Sequence, residues 1–188
     1  MDIVISHQKK KIHPHKFTMW VAISSIIMMF AGLTSAYIVK SSQASWQQIT
    51  IPKLFWYSTI VILVSSLTIQ MALRSFKDRE MTRYRILIGI TAFLGISFVA
   101  LQWFGFQQLW YSGVQLKGSG AGQFLYVIAG LHAVHVLGGI ITLIIMLIKA
   151  FFGKTKTYSS VGIEVATTYW HFVDVLWLYL LVFFMWIG

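Results

Sequence analysis

An all-α integral membrane bundle of five transmembrane helices is the fold class this sequence predicts, on three observations. Of its 188 residues, 57% are hydrophobic and only 11% charged, with a mean hydropathy of +0.74, well outside the balance of a water-soluble domain. The apolar residues gather into five runs, each near or above the roughly 20 residues that cross a bilayer core as a helix. None of the runs alternates polar and apolar residues over about ten positions, as the strand of a membrane barrel would.

Residues 1–17 read as a basic N-terminal segment and residues 18–188 as the membrane domain. No secretory signal fits the start, because the apolar run from Thr18 is too long and lacks a cleavage site, so the first span is expected to be retained. Spans are expected near 18–39, 54–73, 86–109, 123–152 and 166–188. The fourth exceeds one crossing and is expected to tilt or project beyond the hydrocarbon. Trp20, Trp46, Phe55 with Trp56, Trp110 with Tyr111, and Trp186 lie near span ends, where amphipathic rings anchor at the headgroup level. Gly118 to Gly122 reads as a flexible outer loop. It lacks the Lys-Ser/Thr ending and the preceding strand of a phosphate-binding loop.

Charge sets the orientation. Lys9, Lys10, Lys11 and Lys16 precede the first span, Arg74, Lys77, Arg79, Arg83 and Arg85 join the second to the third, and Lys149, Lys154 and Lys156 end or follow the fourth. Only Lys40, Lys53 and Lys117 lie on the other side, so the positive-inside rule places the N-terminus in the cytoplasm and Gly188 outside. The formal net charge of +10 is spread over these short segments, where it orients spans and meets anionic headgroups, and no nucleic-acid partner is expected. Cysteine is absent, which excludes disulfides, thiolate metal sites and a cysteine nucleophile. The loops are too short to hold a soluble catalytic domain, so any chemistry belongs to the bundle or to a partner.

Five polar residues stand out: His132 and His135 in the fourth run, and Glu164, His171 and Asp174 in or just before the fifth. An ionised aspartate at the centre of a span costs about 2.5–3.5 kcal/mol, so such groups mark a site or a paired structural contact. His132 with His135, and His171 with Asp174, are each three residues apart and share a helical face. On facing helices they compose a three-histidine, one-carboxylate metal set suited to zinc, copper or iron. Glu164 lies seven residues before His171, returning to nearly the same face about 10 Å away. That face reads as a polar clasp between spans, as a short proton path, or as a lipid-headgroup or subunit contact. Gln102, Gln107 and Gln108 can cross-bond to other helices. Ala129 and Ala133 form a small-xxx-small pair that permits close helix approach.

Three segments carry a family resemblance. Gly162-Ile-Glu164-Val-Ala166-Thr-Thr-Tyr169-Trp170-His171-Phe172-Val173-Asp174-Val-Leu-Trp177-Leu resembles the final helix of subunit III of haem-copper terminal oxidases. Gly130-Leu-His132-Ala-Val-His135-Val-Leu-Gly138-Gly139 is similar to that family's histidine-bearing helix, and Phe30-Ala31-Gly32-Leu33-Thr34-Ser35-Ala36-Tyr37 to the end of its first shared helix. With the weaker segment from Gln102 to Trp110, the resemblance covers four of the five spans.

The resemblance implies an accessory subunit with no haem or copper of its own. It implies packing beside the catalytic subunit I, which carries haem and copper, reduces oxygen to water and pumps protons. It implies support for proton uptake and for the durability of that active site, bound phospholipid, and residence in the bacterial plasma membrane. His132, His135, Glu164, His171 and Asp174 match the family's motif positions, which favours a polar, lipid-facing or proton-related role over a metal site. The family's frequent glutamate in the first shared helix is Ile26 here, so a role resting on that carboxylate is not carried over. Longer members carry two further N-terminal helices not found in this sequence, so their lipid-holding cleft is expected only if another subunit supplies them. Two alternatives stand beside this reading: a related accessory subunit of a nitric oxide reductase, and an independent proton-coupled transporter using His171 and Asp174. The sequence has no inverted repeat and no pair of broken helices to favour the transporter.

Overall fold

In the computed structural model, which describes residues 14–42, 52–113, 120–152 and 160–187, five α-helices account for nearly all of the described chain. They are α1 (Pro14–Ser41), α2 (Leu54–Lys77), α3 (Met81–Tyr111), α4 (Gly120–Phe152) and α5 (Ser160–Ile187). All five are long and apolar enough to span a membrane. Each is longer than its apolar run where polar residues extend the helix past the hydrocarbon, as at Pro14–Phe17, Arg74–Lys77, Met81–Arg85 and Ser160–Val165. Pro14 opens α1, where its missing N–H costs no intrahelical bond. Gly120 to Gly122, expected in a loop, form the first turn of α4; glycine there is tolerated because the rest of the helix is held by packing.

α2 and α3 form an antiparallel hairpin through a three-residue turn, the most extensive helix pair in the molecule. Its closure satisfies the last α2 carbonyls: Asp78 N–H donates to Arg74, Arg79 N–H to Phe76 and Glu80 N–H to Ser75. Arg79 takes the left-handed conformation at φ 61° to make this turn, a place usually given to glycine. α2, α3, α4 and α5 close into a ring in chain order, with α5 returning to α2. α1 packs outside the ring against α4 and α5 and, among the described residues, makes no close backbone approach to α2. Half of α5's most apolar stretch is buried against other helices, compared with 22–33% for the other four, so α5 is the central element.

Lipid tails are as apolar as leucine, so helices in a bilayer associate through close packing and interhelical hydrogen bonds. Trp170 of α5 shows how both are met. Its indole is fully buried between Gly95 of α3 and Gly139 of α4, and its Nε1 donates to Ser65 Oγ of α2 at 3.0 Å. A Cβ on Gly95 would come within 2.7 Å of the indole, and one on Gly139 within 3.0 Å. Ala129 of the small-residue pair read from sequence is buried, and Gly95 and Gly139 allow a further close approach around one ring. Gly95→Ala should therefore destabilise the bundle by about 1–3 kcal/mol through overpacking. Gly89→Ala, whose new Cβ would meet only Leu147 at 4.0 Å, should not. Thermal unfolding in detergent checks this, and equal midpoints for the two variants would refute the clasp.

Candidate functional site

α2 is the acceptor and donor rail of the bundle. Ser58, Thr59, Ser65, Ser66, Thr68 and Gln70 recur along it with heptad-like spacing and place their polar atoms toward α3 and α5. Toward α3, Gln102 Nε2 donates to Ser58 Oγ at 2.9 Å, and Thr68 and Thr91 hydroxyls bond at 2.8 Å. Toward α5, Trp177 Nε1 donates to Thr59 Oγ1 at 3.0 Å, alongside the Trp170–Ser65 bond. Within the apolar bundle these side chains find partners on neighbouring helices, and many hydroxyls also bond back to carbonyls three or four residues earlier.

The five residues singled out by sequence separate into three environments. His132 is fully buried on the far side of α5, stacked on Trp177 with ring centroids 5.3 Å apart and edge-on to Phe98. Neither of its ring nitrogens has a hydrogen-bond partner among the described residues. His135, one turn on, faces α1 against Phe30, with Nδ1 donating to its own Leu131 carbonyl at 2.7 Å, while Tyr169 donates to the His135 carbonyl. The shared helical face of the two histidines is real, but packing sends one ring to α5 and the other to α1.

On the α2 side of α5, the His171 ring lies between Ser66 and Gln70: Nδ1 is 2.6 Å from Ser66 Oγ and Nε2 is 3.2 Å from Gln70 Oε1. Asp174, one turn deeper, is 3% exposed. Neither of its carboxyl oxygens has a hydrogen-bond partner among the described residues. Glu164 sits at the end of the bundle, with Oε2 at 2.6 Å from Lys16 Nζ of α1 and Oε1 at 3.3 Å from Lys77 Nζ of α2. Three helices that begin or end there are thus tied at one carboxylate, which is partly exposed and therefore screened.

Between α1 and α2, floored by α5, a cleft of about 360 Å³ joins these levels. Lys16, Trp20, Gln70, Glu164, Thr168 and His171 line it, together with Thr167, whose buried hydroxyl has no hydrogen-bond partner among the described residues. Glu164 and His171 thus share one wall, while Asp174 lies below it. Among the described residues no group of three His, Cys, Asp or Glu side chains comes together, so the four-ligand set composed from spacing alone does not form. Phe55, read as an interfacial anchor, is a core residue packed on Phe106 and Trp177; Trp20, Trp56, Trp110, Tyr111 and Trp186 are exposed, and Trp46 lies outside the described residues. Gln107 and Gln108 are exposed, and Ile26 packs at the edge of the core. The α2 rail was missed from sequence because single hydroxyls are common in membrane helices; the seven-residue repeat of Ser58–Thr59 at Ser65–Ser66 was the available signal.

Five apolar helices bound by interhelical hydrogen bonds define a multi-pass integral membrane protein. The family model described as cytochrome c oxidase subunit III matches residues 4–188. A probable cytochrome c oxidase subunit 3 of Nocardia farcinica is 32% identical over 161 residues, covering 83% of this chain and 79% of that protein. One of Mycobacterium tuberculosis is 31% identical over 84% of this chain and 80% of its own length, and the cytochrome c oxidase subunit 3 of Bacillus subtilis is 25% identical over 86% and 80%. The chain belongs to the cytochrome c oxidase subunit III family, and is an accessory subunit of a haem-copper oxidase of the respiratory chain, assembled with other oxidase subunits. These matches support neither the nitric oxide reductase subunit nor the independent transporter.

The two kinds of polar contact differ in weight. Ser65→Ala leaves the Trp170 N–H without its acceptor in a dry interior and should cost about 1–2 kcal/mol. Glu164→Gln, at the wetted end, should cost only a few tenths of a kcal/mol after screening. Denaturant unfolding of the two variants in the same detergent tests the ranking, which a larger loss in Glu164→Gln would reverse.

Proposed function

We propose that this chain packs against the haem- and copper-bearing catalytic subunit I of its oxidase in the bacterial plasma membrane, contributes no redox centre, and holds a phospholipid in the cleft between α1 and α2. The observation that carries the lipid reading is the cleft's composition. Lys16 and Lys77 stand at its mouth against one Glu164 carboxylate, leaving one positive charge over, beside Trp20, Thr168 and His171. A phosphodiester headgroup fits that mouth. Exposed apolar side chains of α1 and α2, such as Met28, Ile60 and Leu67, offer a path for its acyl chains.

The complex reduces oxygen to water, and this subunit's part is to keep proton uptake and the neighbouring active site working through many turnovers. The basic end formed by Lys16, Arg74, Lys77, Arg83, Arg85 and Lys149 faces the cytoplasm, with Lys40 and Lys53 outside. Arg85 also stacks over the Phe151 ring at 5.3 Å, tying α3 to α4 at that end.

Purification of the tagged chain in mild detergent should bring a haem-bearing subunit with it, together with tightly held phospholipid. The double variant Lys16→Gln, Lys77→Gln should weaken that lipid's binding about thirty-fold, at about 1 kcal/mol per lysine. A stable haem-free complex that moves a solute in liposomes would overturn the assignment to the oxidase, and unchanged lipid phosphorus in the double variant would overturn the headgroup site. Because the chain has no cysteine, single replacements report sidedness directly. On intact cells stripped of outer barriers, a membrane-impermeant maleimide should label Ser112→Cys and leave Asp78→Cys unlabelled; the reverse pattern would invert the topology.

A further inference from the structure

His135 holds a hydrogen-bond acceptor that no described residue of this chain fills. Its Nδ1 lies 2.7 Å from the Leu131 carbonyl oxygen, which only accepts, so Nδ1 carries the hydrogen of the ring. In the neutral imidazole the distal Nε2 is then a bare lone pair. A second proton there would make the ring a cation at mid-span, which the hydrocarbon disfavours. The ring is half-buried, and among the described residues nothing bonds to Nε2. Unlike the two ring nitrogens of His132, this atom is not enclosed by the bundle. The Tyr169 hydroxyl, which reaches the same residue, is spent on its carbonyl at 3.0 Å.

Depth makes this acceptor informative. His135 lies at the middle of the 33-residue α4, about 20 Å or more from either end at 1.5 Å per residue, and so deep inside a hydrocarbon core about 30 Å thick. Headgroups and bulk water are out of reach there, and acyl tails carry no donor. Other polar side chains on the outer faces need no outside partner: Ser24, Ser25 and Thr142 each donate to a carbonyl three or four residues earlier in their own helix. An acceptor has no such recourse, because the mid-helix N–H groups are already bonded within the helix. A polar atom left open at this depth is costly to lipid and is met by protein.

We infer that His135 marks a docking face of this subunit, where a membrane helix of a neighbouring oxidase subunit lies along the seam of α1 and α4 and donates a side-chain hydrogen bond to Nε2. The complementarity decides the occupant. A bare lone pair takes a hydroxyl, an indole N–H or an amide N–H; a lipid tail offers none of these, and a lysine or arginine would bring a charge to mid-span. The ring is held for the purpose by the Leu131 bond on one side and by Phe30 of α1, edge-on with centroids 5.9 Å apart, on another. The surface beside it suits a closely laid helix: Gly138, three residues on, is exposed and has no side chain, and exposed Val134 precedes the histidine. The inference rests on the chain's place in an oxidase complex and holds whichever subunit supplies the helix. The cleft between α1 and α2 takes no part in it.

Two measurements on the assembled oxidase test it. A photo-crosslinking amino acid in place of Val134, 63% exposed beside an intact His135, should on illumination join this chain to another oxidase subunit. Cross-links to lipid alone would overturn the docking face. His135→Phe keeps a ring against Phe30 and removes the acceptor, leaving the partner's donor unpaired, and should speed dissociation of this subunit from the purified complex about tenfold. His135→Gln, whose amide oxygen accepts, should dissociate at a rate nearer to that of the unaltered chain. The full chain in detergent should unfold at the same midpoint with and without His135→Phe, because the bond lies between subunits. Equal dissociation of His135→Phe and the unaltered chain, or faster dissociation matched by a lowered unfolding midpoint, would overturn the hydrogen bond, and the cross-link decides the face even if His135→Phe does not assemble.

Discussion

The indole of Trp170 is the contact on which the bundle depends. One side chain of α5 bonds to α2 through Ser65, presses on α3 at Gly95 and on α4 at Gly139, and so touches every other member of the four-helix ring. In water, burial of apolar area would drive such an assembly; in lipid that term is absent, and van der Waals fit and hydrogen bonds must supply the specificity. A large flat ring lodged between two glycines gives both at once. The second indole, Trp177, repeats the device two turns on, with Thr59 as its acceptor and Phe55, Phe98 and His132 around its faces.

The same constraint explains the polar groups. A membrane interior offers no water to stray donors and acceptors, so most find a partner on another helix, bond back to their own backbone, or line a cleft. α2 supplies most of the cross-helix partners, and the groups it leaves over define the site. His171 is fully engaged by Ser66 and Gln70, Asp174 is buried without a bond of its own, and Glu164 is spent on two lysines at the wetted end. What read along the sequence as one line of ionisable residues is a mouth, a wall and an inner carboxyl.

Membership of the cytochrome c oxidase subunit III family gives these features their setting. The described connection between α2 and α3 is only three residues long. α1 stands apart from α2, and in the gap between them polar groups of the inner bundle meet a cleft of about 360 Å³. That gap lies at the basic end, with Lys16 and Glu164 near its opening and His171 on its wall.

The number of helices and their approximate bounds were legible in the sequence, because about 20 apolar residues in a row have no stable place other than a membrane-spanning helix. The motifs around His132, His135, Glu164, His171 and Asp174 were legible too, and with them the family. Which way each of those side chains faces was not. His132 and His135 lie three residues apart on one helical face, yet one stacks on Trp177 and the other on Phe30, since α5 and α1 flank that face on either side. Gly95 was silent in the sequence, and its meaning came only from the ring that fills its missing side chain. Helix periodicity is a property of local covalent geometry and can be counted along a chain, whereas the pairing of Trp170 with Ser65, or of His171 with Ser66, joins residues 105 positions apart and exists only once the helices have packed.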